Sequence, residues 1–170
     1  MERKNKITTK ELVVFSMLGA IIFLSDLLME ALPNIHGVAM FIALFTLIYR
    51  AKALIPLYVY VFLNGVFAGF AQWWIPYLYI WTILWALIML IPKNSSNKIK
   101  FIFSIIFCSL HGLLFGICYA PLQALMFGLS FEGMITWIVV GFPFDIIHMC
   151  GNFALSFLII PLYKIIKKLA

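Results

Sequence analysis

The chain has 170 residues, of which 65% are hydrophobic and only 11% charged. A soluble domain wets its surface with about 25% charged residues, so a globule in water is excluded and most of this surface must face lipid. The net charge of +6 would suit a nucleic-acid partner, yet the cations lie in short clusters between apolar stretches, the pattern of topology signals facing an anionic leaflet.

A basic segment, residues 1–10, precedes the first apolar run. Thr8 followed by Glu11 fits a capping box, in which hydroxyl and carboxylate satisfy free amides at a helix start. The apolar run predicts a first helix over about 11–32, long enough to span. It outlasts a signal-peptide core and lacks a small-x-small cleavage site, so it is expected to stay in place. Pro33-Asn34 breaks it. A second helix over about 36–49 is short for a full crossing: either the Asn34–Gly37 turn dips into the protein or the bilayer thins there.

Arg50-Ala51-Lys52 turns the chain into a third helix, about 53–70, and Gln72–Pro76 forms the next break. A fourth helix covers about 77–91. The hydrophilic stretch Pro92–Lys100 leads to a fifth, about 101–124. The Gly-punctuated segment Phe127–Phe142 predicts a short interfacial helix around Glu132–Val140, and a sixth spanning helix follows over about 143–163. The expected fold is a single all-α integral membrane domain, 1–170, built as a six-helix bundle.

With a cytoplasmic N-terminus, the inner segments are 1–10, 50–52, 93–100 and 164–170. They hold all twelve basic residues, from Arg3, Lys4, Lys6 and Lys10 to Lys164, Lys167 and Lys168. The outer loops hold none, which satisfies the positive-inside rule and places both termini in the cytoplasm. Cys108, Cys118 and Cys150 lack any CxxC or Cys/His ligand spacing and read as buried small hydrophobes.

Four of the six acids, Asp26, Glu30, Glu132 and Asp145, fall at or near outer helix ends, with His36 and His148. Asp26 and Glu30 are four apart and share a helix face. Asp145, His148 and Asn152 form a second stripe. An ionisable group inside a membrane segment is costly unless paired or facing water, which makes it a site candidate. For Glu30 and Glu132 the alternative is a solvated interfacial charge. Aromatic side chains gather at the same level: Trp73, Trp74, Tyr77, Tyr79, Trp81 and Trp137. Such rings form interfacial belts on many membrane proteins, but the inner face has no Trp, so Trp74, Tyr77 and Trp81 are candidates to stack on a flat heterocycle. Asn64 is a candidate ligand donor or an interhelical hydrogen bond. His111 is either a satisfied core histidine or the cavity floor.

No metal constellation, Gly-rich phosphate loop or Ser/His/Asp arrangement is apparent, and the inner half offers only Glu2 and Glu11 as carboxylates. No catalytic activity, cofactor or metal is expected. Ser16, Gly19 and Ala20 make a small-residue stripe on the first helix that suits close packing of helices or docking of another membrane subunit.

These features resemble the substrate-binding S components of energy-coupling factor (ECF) vitamin transporters. Ser16-Met17-Leu18-Gly19-Ala20 is similar to that family's AxxxA-type motif on helix 1, with Ser in first place. The segment Gly141-Phe142-Pro143-Phe144-Asp145-Ile146-Ile147-His148-Met149-Cys150-Gly151-Asn152 is similar to the start of its last helix, and Trp73-Trp74-Ile75-Pro76-Tyr77-Leu78-Tyr79 looks like members from Gram-positive bacteria. The resemblance implies a vitamin pocket near the outer face of a bacterial cytoplasmic membrane. It also implies partners: a transmembrane T component, docked on the helix 1 motif, and two ATP-binding-cassette ATPases. The outer half has no Lys or Arg, so a strongly anionic ligand would lack its usual basic partner. A neutral or cationic aromatic vitamin or precursor fits better. A stand-alone carrier would need polar residues continuing inward along helices 4 and 6, where helix 4 has only Thr82 and helix 6, beyond Asn152, only Ser156. A third alternative is a membrane scaffold without a ligand.

Overall fold

The computed structural model describes residues 7–169. Glu2, Arg3, Lys4 and Lys6 lie outside them. Among the described residues the fold is all-helical: eight α-helices and two 3-10 turns. The stretches Thr9–Leu28, Val38–Ala68, Asn97–Phe127 and Phe131–Ser156 are each long and apolar enough to cross a membrane, the build of a membrane-embedded protein.

Helix α1 spans Thr9–Leu28. The capping box forms as expected: Thr8 Oγ1 accepts from the Glu11 amide at 3.2 Å, and a Glu11 carboxylate oxygen accepts from the Thr8 amide at 3.0 Å. The helix stops at Leu28, short of the expected Leu32, and overlapping turns carry the chain to Ile35. Asn34 adopts a φ of 57°, a left-handed conformation that Asn tolerates. This settles the short second helix, α2, Val38–Tyr49. The turn dips inward, with Ile35 seated on Gly151, where a Cβ would stand 3.2 Å from it. Nine of the twelve α2 residues are buried, so α2 is apolar all round because protein surrounds it.

Arg50 takes φ 56°, ψ −124° and ends α2. The 3-10 turn Arg50–Ala53 then leads into α3, Leu54–Ala68. Helix α4, Tyr77–Met89, shows that the chain reverses here. Trp81 packs on His36, which precedes α2, and on Tyr60, within α3. At the far end of α4 the Arg50 guanidinium donates to the Met89 and Ile91 carbonyls at 2.6 and 3.0 Å. The 31-residue stretch Val38–Ala68 is therefore a hairpin.

The fifth expected helix is two: α5, Asn97–Leu113, and α6, Phe115–Phe127, joined at Leu114 with little loss of hydrogen bonding. Gly128, φ 65°, closes α6, the left-handed capping role that glycine fills without Cβ cost. The expected interfacial helix and sixth span are one helix, α7, Phe131–Ser156, capped by Ser130 and running through Pro143. The Gly-punctuated composition of 127–142 suggested a break, but a helix embedded in lipid has no water to take up freed backbone groups and gains by continuing. A short turn leads to α8, Ile159–Leu169.

Helix α1 packs on α3, α5 and α6 pack on α7, and α2 sits centrally against α1, α4, α5, α7 and α8. The outside is apolar: Met17, Leu24, Phe62, Phe103, Val139 and Phe153 are exposed. The core around α2 is apolar as well, and a smaller set of polar side chains, Lys100, Ser104, His111, Asp145, His148, Asn152 and Ser156, is buried between α5 and α7. The basic side chains that the structure describes gather at one end: Lys52 pairs with Glu11 at 2.6 Å, Arg50 caps α4, and Lys100 lies over the Tyr163 ring.

Candidate functional site

Midway along the α5–α6 stretch and deep in α7, away from the cations, four nitrogen-bearing rings close a circle. His36 is driven inward by the Asn34 turn, Trp81 stands on α4, His111 on α5 and His148 on α7. Ring centroids are 5.7 Å apart for His36 and Trp81, 5.3 Å for Trp81 and His111, 6.4 Å for His111 and His148, and 4.9 Å for His148 and His36. The circle is this tight because Gly112 lets α5 touch α7: a Cβ there would meet the His148 and Met149 backbone at 2.9 Å. His111 Nε2 lies 3.1 Å from the Ile80 carbonyl. His36 Nδ1, Trp81 Nε1, His111 Nδ1 and His148 Nε2 are buried without a hydrogen-bond partner, a costly state that a polar ligand would relieve.

Two chambers adjoin this circle and share Asn34 and Phe115 as walls. The larger, about 450 Å³, is lined by Trp73, Gly116, Tyr119, Gln123, Phe127, Trp137, Gly141, Phe144 and Asp145. The smaller, about 200 Å³, is lined by Asp26, Glu30, His36, Tyr77 and His148 with apolar residues of the turn. Neither is lined by Lys or Arg. In the larger chamber Tyr119 stacks on Trp137 at 5.7 Å and 16°, and its hydroxyl donates to the Trp73 carbonyl at 3.0 Å. Asp145, 6% exposed, accepts from the Gly116 amide through Oδ1 at 3.1 Å, and Oδ2 has no partner. In the smaller chamber the Tyr60 hydroxyl donates to Asp26 at 2.9 Å. A third cavity, about 170 Å³, lies between α1 and α3 and shares Asp26 and Glu30.

The sequence candidates divide accordingly. Asp26, Glu30, His36, Tyr77, Asp145 and His148 line the paired chambers. Trp81 does not line them; at 1% exposure it is the packed floor beneath Tyr77 and Phe115. Asn64 lines only the third cavity and bonds the Tyr60 carbonyl in its own helix. Trp74 turns away and donates to the Val61 carbonyl at 2.7 Å, packed edge-on against Phe70. Asn152 bridges helices, donating to the Cys108 carbonyl at 3.0 Å. On α1, Gly19 is used internally: a Cβ there would lie 2.8 Å from the Pro56 carbonyl of α3. Ser16 bonds its own helix and stays exposed, and Ala20 is half-buried.

The wall that sequence reading passed over is α6. Phe115, Tyr119 and Gln123 stand four residues apart on one face, the spacing of a helical stripe. In so apolar a segment that stripe looks the same as a lipid-facing one.

No protein-family model matches this chain, and no curated protein or solved structure matches it either. Stacked rings, three carboxylates and unpaired imidazole nitrogens, with no cation among them, suit a flat molecule rich in hydrogen-bond donors.

Proposed function

We propose that this chain is the substrate-capture subunit of an ECF-type importer in a bacterial cytoplasmic membrane. In this reading it binds a small neutral or cationic aromatic vitamin or cofactor precursor near its outer face and catalyses no reaction itself. The observation that carries the reading is the pair of adjacent, cation-free chambers toward one end of an apolar bundle whose other end gathers the cations. By the positive-inside rule that basic end is cytoplasmic. The chain then crosses six times, as α1, α2, α3, α4, α5–α6 and α7–α8, with both termini inside. Helix α2, with 12 residues, rises only about 18 Å, less than the hydrocarbon thickness of about 30 Å. The surrounding helices shield it from lipid, so it need not match that thickness. A T component with two ATP-binding-cassette ATPases would drive uptake, docking on the exposed side chains of α1, Ser16 among them.

Native mass spectrometry of the gently purified chain, with thermal shifts against a vitamin panel, tests this reading. A retained aromatic small molecule that stabilises the protein is expected. No retained molecule and no shift from any vitamin would reject ligand capture and favour a scaffold.

One observation favours a second reading, a stand-alone carrier. Helix α5 carries the buried polar residues Lys100, Ser104 and His111, and it faces Asp145, His148, Asn152 and Ser156 on α7. This polar seam runs from the chambers to the basic end, a continuity that helices 4 and 6 of the sequence reading lacked. Uptake by liposomes holding this chain alone would support the carrier; uptake only with ATPase partners supports the importer.

A further inference from the structure

The two chambers differ in what they ask of a ligand. The larger is walled by rings, Trp73, Phe115, Tyr119 and Trp137, and offers one charged group, the Asp145 carboxylate. That carboxylate is held from behind: the Gly116 amide fixes Oδ1, and the absence of a Cβ at Gly116 leaves room for Oδ2, which stands without a partner. No Lys, Arg or His lines this chamber to neutralise it. A buried carboxylate with unused acceptor capacity is costly to keep and is best satisfied by a planar pair of N–H donors, whose two parallel bonds match its fork. The rings set the plane of such a group and add attraction to a cation over their faces.

We propose that the larger chamber is the subsite for an amidine-type edge, a flat cationic N–H donor pair on an aromatic ring, received by Asp145. This rests on the ligand-capture reading and narrows its substrate class from neutral or cationic aromatics to ring-borne amidinium or aminoheteroaromatic cations. Anions of the same shape are rejected, because their charge would sit beside Asp145 with no counter-ion.

The test uses the full chain in lipid nanodiscs and three probes of one shape: benzamidine, benzamide and sodium benzoate, titrated at neutral pH with tryptophan fluorescence as readout. Benzamidine is expected to bind saturably and at least tenfold more tightly than benzamide, and benzoate not to saturate. Asp145→Asn, which keeps Oδ1 as an acceptor but removes the charge, is expected to erase the preference for benzamidine over benzamide. Gly116→Ala, which pushes a methyl to 2.5 Å from Oδ2, is expected to do the same by displacing the carboxylate. Benzoate binding as well as benzamidine, no saturable benzamidine binding, or an intact preference in Asp145→Asn overturns the assignment, and the wild-type series alone decides it where a variant fails to fold. Mass spectrometry of the same preparation separates the two levels. A retained anionic ligand sinks the amidine subsite and leaves ligand capture standing, whereas no retained molecule and no probe binding sinks both.

Discussion

Gly116 and Asp145 meet across the α6–α7 contact, amide to carboxylate at 3.1 Å, and this bond turns the acid toward the larger chamber instead of into lipid. His148, three residues on, lines the smaller chamber from the same helix. Asp145→Asn and His148→Ala are each expected to weaken the retained ligand at least tenfold, measured by titration of the stripped protein, with melting temperatures changed by only a few degrees. Unchanged affinity in both variants would place the site elsewhere.

Asn152 shares the Asp145 stripe but reaches the Cys108 carbonyl instead of either chamber. Interhelical hydrogen bonds in membranes average about 0.6 kcal/mol and reach about 1.7. Asn152→Leu should lower unfolding stability by that order in mild detergent while ligand affinity stays within twofold. An affinity loss comparable to that of His148→Ala would make Asn152 a ligand contact.

The neighbours Trp73 and Trp74 separate by role. Trp73 lines the larger chamber, and Trp74 is tied to the Val61 carbonyl. Trp73→Leu is expected to cost at least tenfold in affinity with little change in melting temperature. Trp74→Leu should lower the melting temperature and spare affinity. Reversed outcomes would make Trp74 the ligand contact and Trp73 the packing residue.

Arg50 holds a backbone conformation that favours glycine, because its guanidinium ties the α4 carboxyl end at Met89 and Ile91 while its own carbonyl accepts from Trp85. A charge-assisted hydrogen bond contributes about 1.5–3 kcal/mol, and the strained φ costs about 1–3 kcal/mol. Arg50→Ala should destabilise strongly, since it loses the bonds and keeps the strain. Arg50→Gly should destabilise less, since it relieves the strain. Denaturation curves ranking glycine below alanine would refute the backbone strain, and an Arg50→Ala as stable as the parent would refute the clamp.

Orientation has its own measurement. Lys98 lies on the basic end, so a membrane-impermeant amine reagent should reach it only after cells are opened, whereas Glu132→Cys should react with an impermeant maleimide on intact cells. Labelling of Lys98 from outside would reverse the topology.

The alternation of greasy runs with short basic clusters was enough to read an all-α chain of apolar, membrane-embedded helices, because lipid forces each span to satisfy its own backbone, but not the α5–α6 division or the unbroken α7. The capping box at Thr8 and Glu11 was legible for the same reason, being a local contact. The lining of the candidate site was half legible. Ionisable side chains at Asp26, His36, Asp145 and His148 stand out in an apolar chain by their cost alone, and all four line the chambers.

Which aromatic rings join those groups was decided only in three dimensions. Trp73 and Trp74 are chemically alike, and the turn before α4 alone sends one into the cavity and the other onto α3. Phe115 and Tyr119 became walls because Gly112 and Gly116 bring α5 and α6 against α7. A hydrophobic ring carries no mark of whether lipid, core or ligand will cover it; that depends on the packing of helices distant in sequence, and polarity patterns do not encode it.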